Sequence, residues 1–326
     1  MEKRQCGQIA FDPGSVMGRY TQKEDWVMQN DGDKEARRFS RKIAALRKKG
    51  GFPDAMLALL ETVADRQFQV KAELTEQNDA ASAVVPELTD PQRHVQGASL
   101  LPRAAFPVDF VGAAQLLSTL LPEIRSYGSE LEIGADRVIE ALETEELEAE
   151  RLFRAYLEED QDFFAIWAEK TPGTPKLLFF LAQSALTPFI RDVAEKIVAS
   201  RPLEGMWEHG HCPVCGSLPY ISSLETREGC RMMHCSYCHS AYRVSRIGCV
   251  YCGERDPKKL QYFNVDELPG YRVELCEHCR MYIKTADFRQ LDRISVPVLD
   301  DLESLALDVL AQSRGHVRPT LSAFGF

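Results

Sequence analysis

Cys212-Pro-Val-Cys-Gly216 contains the first of four Cys-x-x-Cys pairs that lie close together in this sequence. Eight of the ten cysteines belong to these pairs, which are Cys212/Cys215, Cys235/Cys238, Cys249/Cys252 and Cys276/Cys279. A Cys-x-x-Cys turn lets two sulfurs face one ion, and a tetrahedral site needs two such turns. Four turns supply two complete four-cysteine sites. The sequence therefore predicts that these eight cysteines bind two metal ions.

The four pairs form a tandem repeat of two units. The first and third pairs are followed directly by Gly216 and Gly253, whereas His239 and Arg280 follow the second and fourth pairs. This alternation recurs about 40 residues later, which indicates an internal duplication. Each unit is therefore expected to hold its own ion, with the first pair joined to the second and the third to the fourth. The alternative is a cross-braced arrangement that joins first to third and second to fourth.

The residues between the pairs predict a small β-module around each site. Segments 218–224, 260–265 and 270–275 alternate as strands do, and the cysteine spacing suits a zinc ribbon or a rubredoxin fold. The glycine after a pair is expected to take a positive φ, in a turn that points backbone amides at the sulfurs. Four sulfurs suit zinc, which would be structural, or iron, which would be a one-electron centre. The ligand set leaves this choice open.

Other cysteines and histidines near the pairs are weaker candidates for metal ligands. Because cysteine already fills every ligand position, four histidines are expected to lie around the sites or at the surface: His211, His234, His239 and His278. Cys230 is either an extra or exchanging ligand or a plain thiol, and the sequence favours the plain thiol. Cys6 lies far from the pairs in the sequence and is treated as incidental.

The sequence before the cysteines is helical in pattern. Apolar residues recur at helical spacing in segments 34–48, 53–74, 109–127, 134–159 and 176–199. Pro188 predicts a kink or a break at Thr187 within the last of these helices. Residues 78–107 are rich in Ala, Ser and Pro, and predict a long connection that is mobile or wraps the surface.

The predicted fold class is multidomain, with an all-α N-terminal helical domain, two tandem rubredoxin-like or zinc-ribbon β-modules and a C-terminal helix. The predicted parts are an irregular lead-in (1–20), the helical domain (21–205), the first module (206–247), the second module (248–292) and a C-terminal helix with a tail (293–326). The last helix, at residues 296–313, is expected to pack back on the helical domain or to pair two subunits in a homodimer.

Charge and motifs restrict the classes of function. The net charge is −10, and residues 203–294 carry equal numbers of basic and acidic residues. A ribbon that grips nucleic acid usually has a basic face, so nucleic acid is not the expected partner, and a tandem zinc-ribbon nucleic-acid binder is kept as the alternative. We find no motif for a phosphate loop, a metalloprotease or a serine hydrolase, so no catalytic residue, no further cofactor and no enzyme activity are predicted. A redox enzyme that uses metal-free Cys-x-x-Cys thiols is a third hypothesis.

The sequence predicts a cytoplasmic protein. No apolar run approaches the roughly 20 residues of a membrane span, so membrane insertion is not expected. The first residues carry no apolar region behind their basic side chains, as a secretory signal would. A reducing compartment favours thiolate–metal sites over disulfides.

The residues that frame the four pairs resemble those of the FdhE family, bacterial accessory proteins needed to obtain active formate dehydrogenase. The framing sequences are His-Cys-Pro-Val-Cys-Gly-Ser-Leu-Pro from His211, His-Cys-Ser-Tyr-Cys-His from His234, Gly-Cys-Val-Tyr-Cys-Gly from Gly248, and Leu-Cys-Glu-His-Cys-Arg-Met-Tyr-Ile-Lys from Leu275. The resemblance implies metal binding by all eight cysteines and favours rubredoxin-type iron. It also implies contact with the molybdenum-containing catalytic subunit of a respiratory formate dehydrogenase before export, and a protein that is not itself a formate dehydrogenase.

Overall fold

The computed structural model describes residues 32–78, 86–322 and 324. The predicted lead-in at residues 1–20, the start of the helical domain at residues 21–31 and Cys6 lie outside the described residues. Within the described part, helices come first, a β-sheet follows and two short helices come last. This order is the predicted fold class.

Eight α-helices precede the sheet in the part of the chain that the structure describes. They are α1 (Gly32–Lys49), α2 (Asp54–Asn78), α3 (Pro91–Val95), α4 (Phe110–Ile124), α5 (Ser129–Glu143), α6 (Ala149–Glu158), α7 (Gln161–Lys170) and α8 (Leu177–Ser200). Asp90, Asp109 and Asp160 cap α3, α4 and α7, because their carboxylates accept hydrogen bonds from backbone amides of the first turn. Short 3-10 turns occupy Arg103–Ala105 and Arg125–Tyr127.

The prediction of one helix at residues 134–159 is wrong. Helix α5 begins earlier, at Ser129, and ends at Glu143, and α6 begins at Ala149. Between them Glu145 takes a left-handed backbone conformation with a φ of 58°, which ends a helix of L-residues. Leu147 is buried in the connecting turn. Apolar residues continue across this turn, so their spacing does not reveal it, and α7 was not predicted.

Helix α8 continues through Pro188, so the predicted break at Thr187 is wrong, and the alternative of a kink there remains a prediction. A proline has no N–H group, so the carbonyl of Ser184 loses its helical partner. The side chain of Gln67 on α2 supplies one instead, because its Nε2 donates to the Ser184 carbonyl at 2.8 Å. The carbonyl that Pro188 leaves without a helical partner is therefore hydrogen-bonded by a side chain of a neighbouring helix.

The sheet contains six strands. They are β1 (Pro219–Glu225), β2 (Cys230–Cys235), β3 (Ala241–Val244), β4 (Leu260–Phe263), β5 (Tyr271–Cys276) and β6 (Tyr282–Ala286), in the spatial order β3-β2-β1-β6-β5-β4. Pairing is antiparallel inside each repeat unit. The two units meet through the parallel pair β1–β6, where Ile221 lies opposite Lys284. The tandem modules therefore share one sheet.

The first unit also shares its hydrophobic core with the helices. Val214, Met233 and Tyr237 belong to the same buried cluster as Phe153 and Leu181 of the helical part. The second unit has a separate cluster around Tyr271, Val273 and Leu307. The predicted domain boundaries at residues 205, 247 and 292 remain a proposal.

The predicted C-terminal helix is two helices, α9 (Pro297–Glu303) and α10 (Leu305–Ser313), with Ser304 between them. Leu299 and Leu302 of α9 join a cluster with Phe39 and Ile43 of α1. The end of the chain therefore packs back on the first helices, one of the two predicted arrangements. The homodimer remains a prediction.

Helix α8 is the one described helix that is long and apolar enough to cross a membrane. Most of its apolar window, 72%, is buried inside the protein. Its hydrophobicity is therefore explained by its position as the central core helix.

Candidate metal centres

The first candidate centre brings together the sulfurs of Cys212, Cys215, Cys235 and Cys238 within 4.8 Å of one another. The Cys212 and Cys238 sulfurs lie 3.7 Å apart, and those of Cys215 and Cys235 lie 3.4 Å apart. A tetrahedron with metal–sulfur bonds of about 2.3 Å has edges of about 3.8 Å, whereas a disulfide bond measures about 2.05 Å. The four sulfurs are therefore spaced for a central ion, and could hold one.

The second candidate centre has the same form. Its sulfurs belong to Cys249, Cys252, Cys276 and Cys279 and also lie within 4.8 Å of one another. The distances Cys249–Cys279 and Cys252–Cys276 are each 3.7 Å. The structure thus joins the first pair to the second and the third to the fourth, as the repeat predicted, and does not show the cross-braced arrangement.

The turns that carry the sulfurs show why glycine follows two of the pairs. Gly216 and Gly253 have φ values of 86° and 74°, as predicted. His239 and Arg280 follow the other two pairs and take the same left-handed conformation, with φ values of 58° and 60°. All four turns therefore need a positive φ at the residue after the pair. In two of them this residue has a side chain, for which a positive φ is energetically unfavourable.

Backbone amides near the first centre donate to its sulfurs. The amide of Ser217 lies 3.5 Å from the Cys215 Sγ, and that of Tyr237 lies 3.4 Å from the Cys235 Sγ. Such bonds stabilise the negative charge of thiolates and tune a metal bound to them. These amide donors therefore fit a metal ion that is bound by four thiolates.

The first centre is enclosed by the protein. All four of its cysteines are buried, and the segment after α3 covers the first turn. The amides of Leu100, Leu101 and Arg103 donate to the carbonyls of Pro213, Val214 and Cys215, respectively, at 2.8, 2.9 and 3.0 Å. The sequence predicted only a long connection here. Backbone hydrogen bonds do not depend on the type of side chain, so the sequence pattern does not reveal them.

Arg103 extends this cover over the second turn. Its guanidinium group lies over the rings of Tyr156 and Tyr237, with distances of 4.9 and 4.3 Å to the ring centres. Tyr237 stands between the two cysteines of the second pair, and Tyr156 belongs to α6. The arginine therefore ties the first centre to the helical part.

The second centre lies at the surface. Cys252 is exposed, Cys249 and Cys279 are partly exposed, and Cys276 is buried. The Nδ1 of His278 lies 3.5 Å from the Cys252 Sγ. The two centres thus have the same ligands but different access to solvent and to other molecules.

The histidines next to the pairs lie outside both sulfur clusters. His234 is buried and its Nε2 lies 2.9 Å from the Ser223 Oγ, while the Nε2 of His211 lies 2.7 Å from the Gly97 carbonyl. Burial lowers the pKa of His234 to about 4 and, together with the positive charge of Arg191, that of His239 to about 3. The rings of His234 and His239 are therefore neutral near pH 7.

Cys230 also lies outside both sulfur clusters. It begins β2, and its sulfur accepts a hydrogen bond from the Thr226 Oγ1 at 3.6 Å. This position agrees with the favoured prediction of a plain thiol.

Because the first centre is buried, ionisation of all four of its cysteines is unfavourable when no cation is bound. Burial and the hydrogen bonds of the neighbouring cysteine side chains hold the pKa of the Cys212 thiol well above its usual value. A divalent or trivalent cation among the four sulfurs would offset both the cost of burial and the repulsion between the negative thiolates. The chemistry of the cluster, like its spacing, therefore suits a cation.

Comparison with protein families locates the similarity in the cysteine region. The model of the FdhE central domain matches residues 211–246, and the model of the FdhE C-terminal domain matches residues 247–324. These two ranges meet between the two repeat units and together contain all eight paired cysteines.

Individual relatives support the same assignment. An FdhE homologue of Haemophilus influenzae (strain PittEE) is 33% identical over 65% of this chain and 66% of its own length. An FdhE homologue of Aquifex aeolicus (strain VF5) is 35% identical over 46% of this chain and 52% of its own length. The match thus spans between about half and two thirds of these relatives.

A solved structure extends the likeness of fold to nearly the whole chain. The crystal structure of the FdhE protein from Pseudomonas aeruginosa superimposes with a TM-score of 0.63 and 23% identity, and the match covers 91% of this chain and 96% of that one. Helices, sheet and C-terminal helices are thus arranged alike in the two proteins. From the matched domain models, the curated relatives and this fold, the chain belongs to the FdhE family.

Proposed function

We propose that this protein is an accessory factor for the maturation of formate dehydrogenase, and that it binds the catalytic subunit of that enzyme. The observation that carries the proposal is the pair of four-cysteine clusters, one enclosed and one at the surface, in a chain of the FdhE family. The cysteines assigned as metal ligands are Cys212, Cys215, Cys235 and Cys238 at the first centre and Cys249, Cys252, Cys276 and Cys279 at the second.

Both centres are proposed to hold iron. The sulfur spacing suits iron and zinc equally, so the choice of iron comes from the family resemblance. Iron would supply one-electron chemistry, whereas zinc would only hold the fold. The chain's own contribution is to fix four sulfurs, to donate backbone amides to them and to keep water from the first centre.

We propose that the protein acts in the cytoplasm. We also propose that it catalyses no reaction itself. The described residues outside the clusters contain buried ion pairs that serve packing, such as Lys42 with Asp300 at 2.8 Å and Lys284 with Asp301 at 2.7 Å. All four of these residues are buried, and none belongs to a sulfur cluster.

A deletion strain tests the proposal. Formate dehydrogenase activity should fall in a strain that lacks this protein, and the wild-type gene should restore it. The tagged protein should also capture the catalytic subunit from cells grown without oxygen, while a tagged unrelated protein should not. Normal enzyme activity in the deletion strain would contradict the proposed function.

A further inference from the structure

A cavity of about 320 Å³ lies beside the second centre, between the two repeat units. Cys249 and Cys276 contribute to its lining, so a molecule inside it would adjoin the second cluster. Its aliphatic lining residues are Ile247, Val250, Leu260, Leu275, Met281 and Ile283. A concave apolar site of this volume is of the size that binds ligands.

A buried cation in the cavity wall has an unused donor. Arg231 is 2% exposed, its Nη1 donates to the Gly248 carbonyl at 2.9 Å, and its Nη2 donates to Glu274. Its Nε–H has no hydrogen-bond partner among the described residues. Buried donors are nearly always paired, because an unpaired one loses its bond to water. Among the described residues the guanidinium group is bound by Glu274 and by the carbonyls of Ser245 and Gly248, so its positive charge lies in the wall of the cavity.

The charges that line the cavity favour an anionic group. Three arginines line it, Arg231, Arg246 and Arg272, against the single carboxylate of Glu274. Both oxygens of this carboxylate are already occupied, since it also accepts from the Arg272 Nη2 at 2.7 Å and from the Thr285 Oγ1 at 3.0 Å. The surplus of guanidinium groups suits a carboxylate, which arginine binds with matching geometry.

The surroundings of the cavity suit a protein partner. Ile247 and Tyr262 belong to the lining and are 68% and 72% exposed, respectively. Tyr262 lies on β4, which ends the sheet and pairs only with β5 among the described strands. Exposed apolar side chains beside a concave site are typical of protein interfaces. A net charge of −10 disfavours a polyanion such as nucleic acid.

We propose that this cavity binds an acidic, apolar peptide segment of a partner protein, with a carboxylate of the segment facing Arg231 and Arg246. The proposal deepens the proposed function, on which it rests for the identity of the partner. Binding there would place the segment against the second cluster, whose cysteines are the more exposed ones. It would leave the enclosed first centre untouched.

Two synthetic peptides test this assignment on the full-length, metal-containing protein. One is fluorescein-labelled Gly-Leu-Asp-Phe-Leu-Glu with an amidated end, and the other replaces its Asp and Glu by Asn and Gln. Fluorescence anisotropy should show at least about tenfold tighter binding of the acidic peptide, the expected size for a charged hydrogen bond. Equal binding of the two peptides would overturn the proposal, as would a labelled oligonucleotide that binds more tightly at physiological salt.

Variants locate the binding. Arg246→Ala, at an exposed position of the lining, should weaken binding of the acidic peptide about tenfold, and Leu260→Trp should weaken it by filling the cavity. Arg243→Ala is the matched control, because Arg243 is exposed on β3 and does not line the cavity. Equal metal content and thermal unfolding establish that each variant is folded. Unchanged binding in both cavity variants would refute the location.

Capture of the catalytic subunit separates this inference from the proposed function. If the wild-type protein captures the subunit and the Leu260→Trp variant captures it equally well, the cavity assignment fails and the accessory role stands. If the wild-type protein captures nothing and the deletion strain keeps normal activity, the accessory role fails. Peptide binding then decides the cavity assignment independently.

Discussion

The hydroxyl groups of Ser222 and Thr285 lie 2.6 Å apart at the parallel junction of β1 and β6. Both residues are fully buried. Thr285 also donates to Glu274 at 3.0 Å, so Ser222 is the donor in the bond between the two hydroxyls. This contact lies where the two halves of the tandem repeat join into one sheet.

Replacing Thr285 by valine should destabilise the protein. The change keeps the shape of the side chain but leaves the Ser222 hydroxyl buried without its acceptor, which costs about 1–3 kcal/mol. Denaturant unfolding followed by circular dichroism would measure this loss. The double variant Ser222→Ala with Thr285→Val should lose less than the sum of the two single changes, and strict additivity would argue against the contact.

The two centres should differ in what their loss does to the fold. Replacing Cys212 and Cys215 by serine should remove one metal ion and disturb the helical core, because the first centre belongs to that core. Replacing Cys249 and Cys252 should remove the other ion and leave most of the helices intact. Metal content and far-ultraviolet circular dichroism would measure both effects.

The matched control for these variants is Cys230→Ser, which should keep both ions. A variant with Cys212 and Cys215 replaced that retains its full metal content would contradict the assignment of the first centre.

A chelator should remove the two ions at different rates. Cys252 is exposed, whereas the cysteines of the first centre are all buried. Excess chelator should therefore release half of the metal in a fast phase and half in a slow phase limited by opening of the protein. The variant with Cys249 and Cys252 replaced should lack the fast phase. A single phase for all the metal in the wild-type protein would count against this asymmetry.

Acid should reduce the stability that Glu303 contributes. Burial alone would raise the pKa of this carboxyl, but Lys42 at 2.6 Å and Lys49 at 2.8 Å outweigh it and lower the pKa to about 2. Since the folded-state pKa lies below the ordinary value of 4.5, this stabilisation is fully present above pH 4.5 and is lost as the pH falls towards 2.

The variant Glu303→Gln provides the comparison. The difference in unfolding free energy between the wild-type protein and this variant should shrink from pH 6 to pH 3. Metal loss affects both proteins equally and cancels in the difference. A difference that stays constant over this range would show that Glu303 is not linked to acid unfolding.

The sequence predicted the two four-cysteine clusters well because their information is local. A Cys-x-x-Cys turn carries its geometry within four residues, and the repeat identified which turns belong together. The positive φ at Gly216 followed in the same way. The split between α5 and α6 was not predictable, since apolar spacing continues through Glu145.

Tertiary contacts explain the other differences. The unbroken α8 at Pro188 depends on Gln67, which is more than a hundred residues away in the sequence. The cover of the first centre depends on backbone hydrogen bonds from Leu100 and Leu101, which side-chain patterns do not record. Unequal exposure of the two centres likewise follows from packing, because the cysteines themselves are alike.

Metal analysis of the protein purified without oxygen tests the central claim most directly. Elemental analysis should find two ions per chain, and iron bound by four thiolates should give the red absorption of the ferric state after oxidation. Replacing Cys212 and Cys215 by serine should reduce the content to one ion. Protein that is folded, carries no stoichiometric metal and has freely titratable thiols at all eight positions would contradict the claim.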